Sequence, residues 1–377
     1  MKVLVLNYEY PPLGGGGGRL CRVVAEGLVA RGHLVRVVTA GMSHLPRSRD
    51  EAGVQVLRPW CLRKAEDECR VHEMAAYLVQ AAPQVIRQVS LWRPDVMHAH
   101  FVVPTGLLAL AASMAFRVPL VVTAHLGDVP GGVPEQTGRI FRVVAPWARM
   151  VWRCAVRRTA VSRYVAGLAE RAFGRPAVVI PNGCRAPEYV PDFGCDGVPR
   201  ILFVGRLSVQ KNPVLALEAL GLVKDLRWHF DVVGDGPLGE ELRMAIRRLE
   251  LEGRCQMHGW LDGGRVRELM RRAQILLISS RNEGLPMAAI EGLWHGLAIV
   301  GTRIEGLADV ARPGWNGELC EQSPGGLATG LRKLLMSAER LRQAREASYS
   351  LAKEFALEKS VGAYESVLAE ACRGGGS

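Results

Sequence analysis

The chain has 377 residues, 49% of them hydrophobic, so it is too long for one ordinary domain and can supply two hydrophobic cores. Its apolar runs are far shorter than the ~20 residues that cross a bilayer, and its nine cysteines include no C-x-x-C pair, which argues against a membrane-spanning protein and against a zinc or dithiol site. The net charge of +11 lies wholly in residues 1–190, since residues 191–377 carry 24 basic and 24 acidic side chains, and this predicts either an anionic partner or merely a soluble basic surface for the first half.

The first half alternates short apolar runs with stretches of helical periodicity. Strands are predicted at residues 3–6, 34–39, 54–57, 96–98, 120–123, 159–161 and 178–180. Helices are predicted at residues 20–31, 72–91, 107–116, 140–157 and 162–173. Unbroken runs of Val, Ile and Leu between helices are typical of a parallel sheet that is covered on both faces.

A run of five glycines, residues 14–18, follows the first predicted strand. Glycines before a helix allow backbone amides to approach a phosphate or a sugar closely, and Gly15 and Gly16 are the candidate contacts. The run does not fit G-x-G-x-x-G, and it lacks the Gly-Lys-Ser/Thr ending of a P-loop. A floppy loop is the structural alternative.

Histidines occur at the ends of two predicted strands of the first half. His98 ends one of them and His100 follows it, and His125 follows the next strand, three residues before Asp128. His125 is a candidate sugar contact, with a histidine bonded to the backbone as the alternative. His98 and His100 with Asp128 could be grouped as metal ligands. However, no Asp-x-Asp pair is present to hold a metal–diphosphate complex, so the sequence favours a site without a metal.

The stretch 139–158 interleaves arginines with Phe141, Trp147 and Trp152. This pattern suits the anionic surface of a membrane or a lipid-linked acceptor. An ordinary amphipathic helix with its tryptophans in the core is the alternative, and Pro146 is expected to interrupt the helix.

The strand–helix pattern starts again after a linker rich in Pro, Gly and Asp, residues 185–199. Strands are predicted at residues 201–204, 229–233, 255–258, 275–278, 298–302 and 317–320. Helices are predicted at residues 213–222, 239–249, 265–273, 286–295 and 325–336. We therefore expect an α/β protein with two doubly wound, Rossmann-like domains that face each other across a cleft. They would span residues 1–184 and 200–355, with a last helix at about 356–372 packed back on the first domain.

Two loops of the second half carry candidate phosphate-binding residues. Gly205 permits a tight exit from a strand, and Arg206 and Lys211 in the same loop could neutralise a diphosphate leaving group. Gly236 lies in a second strand-end turn, Val233-Gly-Asp-Gly-Pro, for which plain turn chemistry is the stronger interpretation.

The most informative motif is the stretch 279–291, SSRNEGLPMAAIE. A strand runs into a polar loop that holds Glu283, and the loop opens a helix for which Pro286 suits the first position. Glu291 follows about 7–8 Å further along the helix axis. Amides at the helix start, those of Leu285, Met287 and the next residue, can meet an anion. A phosphate between two carboxylates outlines a nucleotide-sugar site.

These motifs resemble those of the retaining GT-B glycosyltransferases, specifically glycosyltransferase family 4. The resemblance covers nearly the whole chain in the same order. It is carried by Glu283-x7-Glu291, Gly205-Arg-Leu with Lys211, Gly234-Asp-Gly-Pro, His125-x-x-Asp128, Val161-Ser162 and Pro181-Asn-Gly.

The resemblance implies individual roles. Arg206 and Lys211 would bind the donor diphosphate, Glu283 the hydroxyls of the transferred sugar, and Glu291 the ribose. The segment Leu285-Pro286-Met287 would contact the distal phosphate, through the amides of its first and last residues. The glycine loop would face both phosphate and acceptor, and His125 would lie beside the sugar and the reacting centre. The first domain would then be the acceptor domain and the second the donor domain.

Two positions depart from the family pattern in the donor loops. Asn212 stands where a glycine commonly follows the lysine, and Glu305-Gly306-Leu-Ala-Asp replaces Gly-Gly-x-x-Glu. Both departures bear on the local geometry of these loops.

The resulting hypothesis is a metal-independent, retaining transferase without a cofactor. It would move a hexose from a UDP- or GDP-sugar to a hydroxyl of a glycan or lipid-linked acceptor. Scattered free thiols and the absence of a visible signal peptide predict a cytoplasmic protein, peripheral on a membrane if the basic half binds one. No nucleic-acid motif is present. The alternatives are a non-catalytic sugar-nucleotide binder and an epimerase or phosphorylase-like enzyme on the same fold.

Overall fold

The computed structural model describes residues 1–66, 69–195 and 197–374. The chain forms two compact units. Unit 1 comprises Met1–Gly183 and the C-terminal segment from Leu357, and unit 2 comprises Cys184–Ala356.

Unit 1 contains an eight-stranded sheet in the order β3-β4-β2-β1-β5-β6-β7-β8. Its strands are β1 Lys2–Leu6, β2 Leu34–Val38, β3 Ser48–Glu51, β4 Val54–Leu57, β5 Val96–His100, β6 Leu120–Ala124, β7 Arg157–Ala160 and β8 Val178–Val179. All neighbouring pairs are parallel except β3–β4. The sequence analysis missed β3 because its residues, SRDE, are polar and mostly exposed. A two-residue turn at Ala52-Gly53, both with positive φ, folds it back on β4.

The helices of unit 1 cover a sheet whose central strands β5 and β6 are buried at every residue. They are α1 Gly16–Ala30, α2 Val71–Arg87, α3 Thr105–Phe116, α4 Pro134–Cys154, α5 Arg163–Phe173 and, from the C-terminal segment, the helix numbered α12, Leu357–Gly374. A π-helical turn, Gln88–Trp92, follows α2. The last helix packs on α1, and Arg31 and His33, which follow α1, contact Glu365 at 2.6 and 2.7 Å.

Unit 2 contains a six-stranded sheet in the order β11-β10-β9-β12-β13-β14, in which all pairs are parallel. Its strands are β9 Arg200–Val204, β10 His229–Val233, β11 Cys255–Gly259, β12 Ile275–Ile278, β13 Ala298–Thr302 and β14 Gly317–Cys320. Its helices are α6 Pro213–Gly221, α7 Gly239–Arg248, α8 Gly263–Arg272, α9 Met287–Trp294, α10 Pro324–Leu335 and α11 Ala338–Ala352. Two 3-10 turns lie at Glu305–Leu307 and Lys353–Phe355.

The predicted fold class is confirmed for both units: each is a Rossmann-like α/β domain with a mainly parallel sheet. In both sheets the strand order reverses beside the first strand of the unit, between β1 and β5 and between β9 and β12. Open α/β sheets bind ligands at such switch points, beyond the carboxyl ends of the strands.

The predicted linker, residues 185–199, lies within unit 2, and its Asp196 is outside the described residues. Arg345 of α11 holds this segment. Its guanidinium is buried, with the residue 1% exposed, and donates to the carbonyl oxygens of Gly296 at 3.0 Å and of Gly194 and Asp192 at 2.7 Å each. This buried side chain therefore ties the segment to the body of unit 2.

Helix α4 runs unbroken through Pro146, contrary to the expected interruption. The Trp152 side chain is fully buried, donates its indole N–H to the carbonyl of Arg175 at 2.9 Å, and therefore belongs to the core, as the amphipathic-helix alternative expected. Trp147 remains 56% exposed. Among the described residues no helix combines the length and apolar character needed to cross a bilayer.

Candidate functional site

Lys211 and Glu283 form an ion pair in unit 2, with Nζ 2.5 Å from Oε1. Lys211 lies in the loop that leaves β9, and Glu283 in the loop that leaves the neighbouring strand β12. These residues are 72 positions apart in sequence and meet because the carboxyl ends of parallel neighbouring strands share one edge of the sheet. The ion pair therefore lies at the switch point of unit 2.

Glu283 is held from two sides. Its side chain is 8% exposed, and the Ser280 hydroxyl donates to the same Oε1 at 2.6 Å. Behind it, a Cβ on Gly306 would lie 1.8 Å from the carbonyl oxygen of Glu283. This chain has Glu305-Gly306 where the family pattern has two glycines, and the glycine that remains, Gly306, is the one that this close packing requires.

The two loops that carry the ion pair are hydrogen-bonded to each other. The Arg281 amide donates to the Gln210 carbonyl at 2.7 Å, and the Gln210 side chain donates to the Asn282 carbonyl at 3.1 Å. The Ser279 hydroxyl donates to the Lys211 carbonyl at 3.0 Å. The backbone around Lys211 is thus positioned by the same loop that presents its partner carboxylate.

Asn212 adopts a left-handed conformation, with φ 48° and ψ 55°, immediately before α6. Asparagine and aspartate enter this region more readily than most other residues with a side chain, and glycine enters it most readily of all. The departure from glycine at this position therefore keeps the loop geometry.

Helix α9 begins one residue later than predicted. Pro286 is its N-cap, with ψ 124°, and Met287 is the first helical residue. The extended ψ keeps Pro286 outside the helix, so the predicted first position is wrong. Leu285 is buried just before the cap, and Glu291 lies inside the helix. The N-terminus of α9 thus directly follows the loop that holds Glu283.

The glycines of unit 2 serve close backbone packing. Gly234 and Gly236 have φ of +133° and +152°, and Cβ atoms there would lie 1.9 Å from the Gly205 carbonyl oxygen and 2.6 Å from that of Leu207. Gly205 and Arg206 thus lie in a loop held tightly against the turn after β10. This supports turn chemistry for Gly236, while its predicted ligand contact stays a prediction.

In unit 1 the backbone around His125 is fixed by Asp128. One carboxylate oxygen accepts the amides of His125 and Leu126 at 2.8 and 3.0 Å, and the other accepts the Val102 amide at 2.7 Å. Burial raises the pKa of Asp128, and these three amides oppose the rise. Asp128 therefore ties the loops after β5 and β6 together, which a His-x-x-Asp spacing alone could not show.

The glycine run packs against His125 and Phe101. Only Gly14 and Gly15 precede helix α1, which begins at Gly16 rather than at the predicted residue 20. A Cβ on Gly17 would lie 2.5 Å from the Phe101 ring and 3.3 Å from Nδ1 of His125. Gly17 thus allows close packing against these two rings, whereas a Cβ on Gly15 would meet no atom within 4 Å.

Sequence reasoning missed Phe101. Its ring lies 4.3 Å from the His125 ring, centroid to centroid, and its φ is +74°. A left-handed aromatic residue is costly and is found where surrounding structure enforces it, often at functional sites. The sequence feature that could have pointed to Phe101 is its position directly after His98-Ala-His100, at the end of a predicted strand.

His98, His100 and His125 form a row of rings rather than a metal cluster. Ring centroids are 4.3 Å apart for His98 and His100 and 5.3 Å for His100 and His125. His98 Nε2 bonds to the Thr123 hydroxyl at 2.7 Å. Within the described parts of the chain, no group of three or more His, Cys, Asp and Glu side chains is arranged to hold a metal ion.

Unit 1 is expected to lose stability in mild acid because of these histidines. Burial lowers the pKa of His98 and of His125 to about 3 and the pKa of His100 well below its usual value. Below pH ~6.5 the unfolded chain binds protons that the histidines of the folded unit do not bind. The unfolding free energy therefore falls by about 1.4 kcal/mol per pH unit for each of His98 and His125, down to about pH 3, and His100 acts in the same direction.

Urea unfolding at pH 7.5 and 5.0, with hydrogen exchange read in peptides of unit 1, measures this loss. A His98→Asn variant should be less stable at pH 7.5 but show a shallower pH dependence. Equal stability of the natural unit at both pH values would contradict the prediction.

Two family models match the chain. The model described as Glycosyltransferase Family 4 matches residues 14–186, and the model described as Glycosyl transferases group 1 matches residues 191–351. The two matches fall on successive Rossmann-like domains, each with candidate residues at its switch point. The chain is a GT-B glycosyltransferase.

This glycosyltransferase is similar to curated and solved proteins over most of its length. It is 26% identical to the glycogen synthase of Mycobacterium tuberculosis (strain ATCC 25618 / H37Rv), over 94% of this chain and 91% of that protein. Sucrose-phosphate synthase from Thermosynechococcus elongatus shares its fold with a TM-score of 0.86, at 17% identity and over 98% of both chains. Anabaena HepE, solved with UDP-glucose, has a TM-score of 0.77 at 19% identity, over 98% of this chain and 100% of that one.

Proposed function

We propose that the glycosyltransferase transfers a hexose from a UDP- or GDP-sugar to a hydroxyl of a glycan or lipid-linked acceptor, with retention of anomeric configuration and without a metal. The observation that carries the proposal is the ion pair of Lys211 with the buried Glu283, in the loop that leads to the N-terminus of α9. It places a fixed cation, a fixed carboxylate and helix amides at one edge of a sheet.

Each element of this edge matches a part of a nucleotide-sugar donor. Lys211, Arg206 and the amides at the start of α9 supply positive potential for the diphosphate as it leaves. Because that charge comes from the protein, no metal is required in the proposed reaction. Glu283 would accept hydrogen bonds from the hydroxyls of the transferred sugar, and Glu291 from the ribose. His125 of unit 1 would contact a sugar.

Two similar proteins support the choice of donor. HepE has been solved with UDP-glucose, and a 27% identical relative from Streptomyces kanamyceticus is named 2-deoxystreptamine glucosyltransferase. Both names contain a glucosyl group, which supports a hexose as the transferred sugar.

A thermal-shift screen with glucose esters of UDP, GDP, ADP and dTDP tests the donor. We expect one of the first two to raise the Tm by a few degrees, since ligand at 100 times its Kd stabilises the folded state by about 2.7 kcal/mol. The Glu283→Gln variant should show a smaller shift. A shift with the ADP or dTDP ester alone would contradict the proposed nucleotides.

Assays with the selected donor distinguish the alternatives. Transfer to an acceptor with an unchanged anomeric configuration, read by NMR, supports the proposal. Binding without any turnover indicates a non-catalytic binder, and isomerisation of the donor without an acceptor indicates an epimerase. Cleavage that requires inorganic phosphate indicates a phosphorylase.

We also propose that the exposed face of α4 contacts an anionic membrane. Val143, Trp147 and Met150 are 72%, 56% and 40% exposed, and their spacing of four and three residues places them on one helix face. Arg139 and Arg142 are exposed next to them. An apolar stripe with an aromatic residue and flanking arginines fits an interfacial helix.

Co-sedimentation with phosphatidylserine-containing vesicles tests this contact. Trp147→Ser is expected to weaken binding about tenfold, because the indole would no longer be buried in the lipid interface. Trp315→Ser is the matched control, since Trp315 is 42% exposed but lies in unit 2. Equal binding of both variants, or binding that is insensitive to salt, would count against the proposal.

A further inference from the structure

His100 is buried next to His125 and bonds to it. Nδ1 of His100 lies 3.1 Å from Nε2 of His125, and His100 is 1% exposed. Nε2 of His100 has no hydrogen-bond partner among the described residues. The two rings therefore share one hydrogen bond, and its direction determines which nitrogen of His125 carries a proton.

The two possible directions of this hydrogen bond leave Nε2 of His100 in different protonation states. If His125 donates, His100 must carry its own proton on Nε2, which leaves a buried N–H donor without an acceptor. If His100 donates from Nδ1, its Nε2 is left as an unpaired acceptor. Unpaired buried donors are rarer in proteins than unpaired acceptors, so the second direction is the more stable one.

We propose that His100 is a positioning residue that holds His125 in the tautomer with its proton on Nδ1. The functional part of this inference rests on the proposed role of His125 at the transferred sugar. Nδ1 is the nitrogen that faces Gly17, at 3.3 Å from the position of a Cβ there, so the proton points toward the glycine run. Its acceptor would be an oxygen of the hexose.

Other contacts fix the ring in the same orientation. Phe101 packs on the His125 ring at 4.3 Å, and Asp128 accepts its backbone amide at 2.8 Å. Burial lowers the pKa of both histidines, so each ring is neutral at pH 7 and donates from one nitrogen only. A neutral ring in one tautomer gives a donor of fixed direction at no cost of reorganisation during the reaction.

The direct test is a long-range proton–nitrogen NMR correlation spectrum of the ¹⁵N-histidine-labelled full chain at pH 7.5. The His125 signals are assigned by their loss in His125→Asn. We expect Nδ1 of His125 to be protonated and Nε2 to be unprotonated. A proton on Nε2 in the natural protein overturns the inference, and this measurement requires no variant of His100.

Variants of His100 test its effect on His125. His100→Leu should give a mixture of His125 tautomers and lower kcat about tenfold, the value of one hydrogen bond, with donor KM changed less than about twofold. His100→Asn should restore both, because its amide can donate from nearly the same place as Nδ1. His98→Leu is the matched control: it removes an equally buried histidine of the same strand that bonds to Thr123 instead.

The tautomer and the transfer reaction are read separately. A single His125 tautomer unchanged in His100→Leu would overturn the inference even if the protein transfers sugar. The expected tautomer change in a protein that transfers no sugar would leave the positioning role standing and reject the proposed function.

Discussion

Replacing Lys211 with methionine is expected to lower kcat for sugar transfer by about 10²–10³-fold. Methionine keeps most of the unbranched apolar stem but removes the charge that would stabilise the leaving diphosphate, and loss of one preorganised group of this kind costs that much. The measurement is steady-state transfer with a saturating nucleotide sugar. Lys224→Met is the matched control. Lys224 belongs to the same unit, its side chain is 41% exposed, and its Nζ lies 3.6 Å from a carboxylate oxygen of Glu250, which is too far for a strong ion pair.

The same substitution is expected to destabilise unit 2, because the Glu283 carboxylate is 8% exposed and would lose its cationic partner while keeping the hydrogen bond from the Ser280 hydroxyl. An uncompensated buried charge is costly. The double variant Lys211→Met/Glu283→Gln removes both charges and should recover much of the lost Tm while remaining inactive. Full turnover in Lys211→Met would reject the assignment of the donor site. Recovery of activity in the double variant would do the same.

Replacing Arg345 with methionine is expected to cost unit 2 about 3 kcal/mol or more of unfolding free energy. The guanidinium satisfies three carbonyl oxygens of two segments, and each buried acceptor left without a donor costs roughly 1–3 kcal/mol. Methionine fills much of the volume but donates no hydrogen bond. Lysine should rescue little, because an ammonium cannot reach three carbonyls that the planar guanidinium spans.

Urea unfolding followed by hydrogen exchange in peptides of each unit measures this effect. Arg342→Met is the matched control. Arg342 lies three residues earlier on the same helix, is 44% exposed and pairs with neighbouring glutamates of α11, so its loss should cost far less than the loss of Arg345. Equal stability of the two variants would show that the segment after Gly183 does not depend on Arg345.

Arg345 illustrates what the sequence could not predict. Its stretch of α11 reads as an ordinary charged helix, since Arg342 and Arg345 differ by less than one turn and are chemically identical. Only the packed structure shows that one arginine faces solvent and the other reaches carbonyls some 150 residues away in sequence. The tryptophans of α4 show the same limit, because the sequence grouped Trp147 and Trp152 together and packing separates them.

The sequence by itself determined the fold class and the residues at the switch points. Apolar strands alternating with helices require parallel sheets, and parallel sheets place loop residues such as Lys211 and Glu283 at one edge. Local patterns therefore sufficed wherever the relevant geometry follows from the period of a strand or a helix.

Tertiary structure alone decided the partners of each side chain. The bond from His100 to His125, the contact of Gly306 with the carbonyl of Glu283, and the antiparallel strand β3 all depend on which loops meet in space. Hydrogen bonds and close contacts act over about 3 Å, whereas the sequence fixes distances only along the chain. Sequence therefore predicted where the candidate site lies, and packing decided how each side chain in it is held.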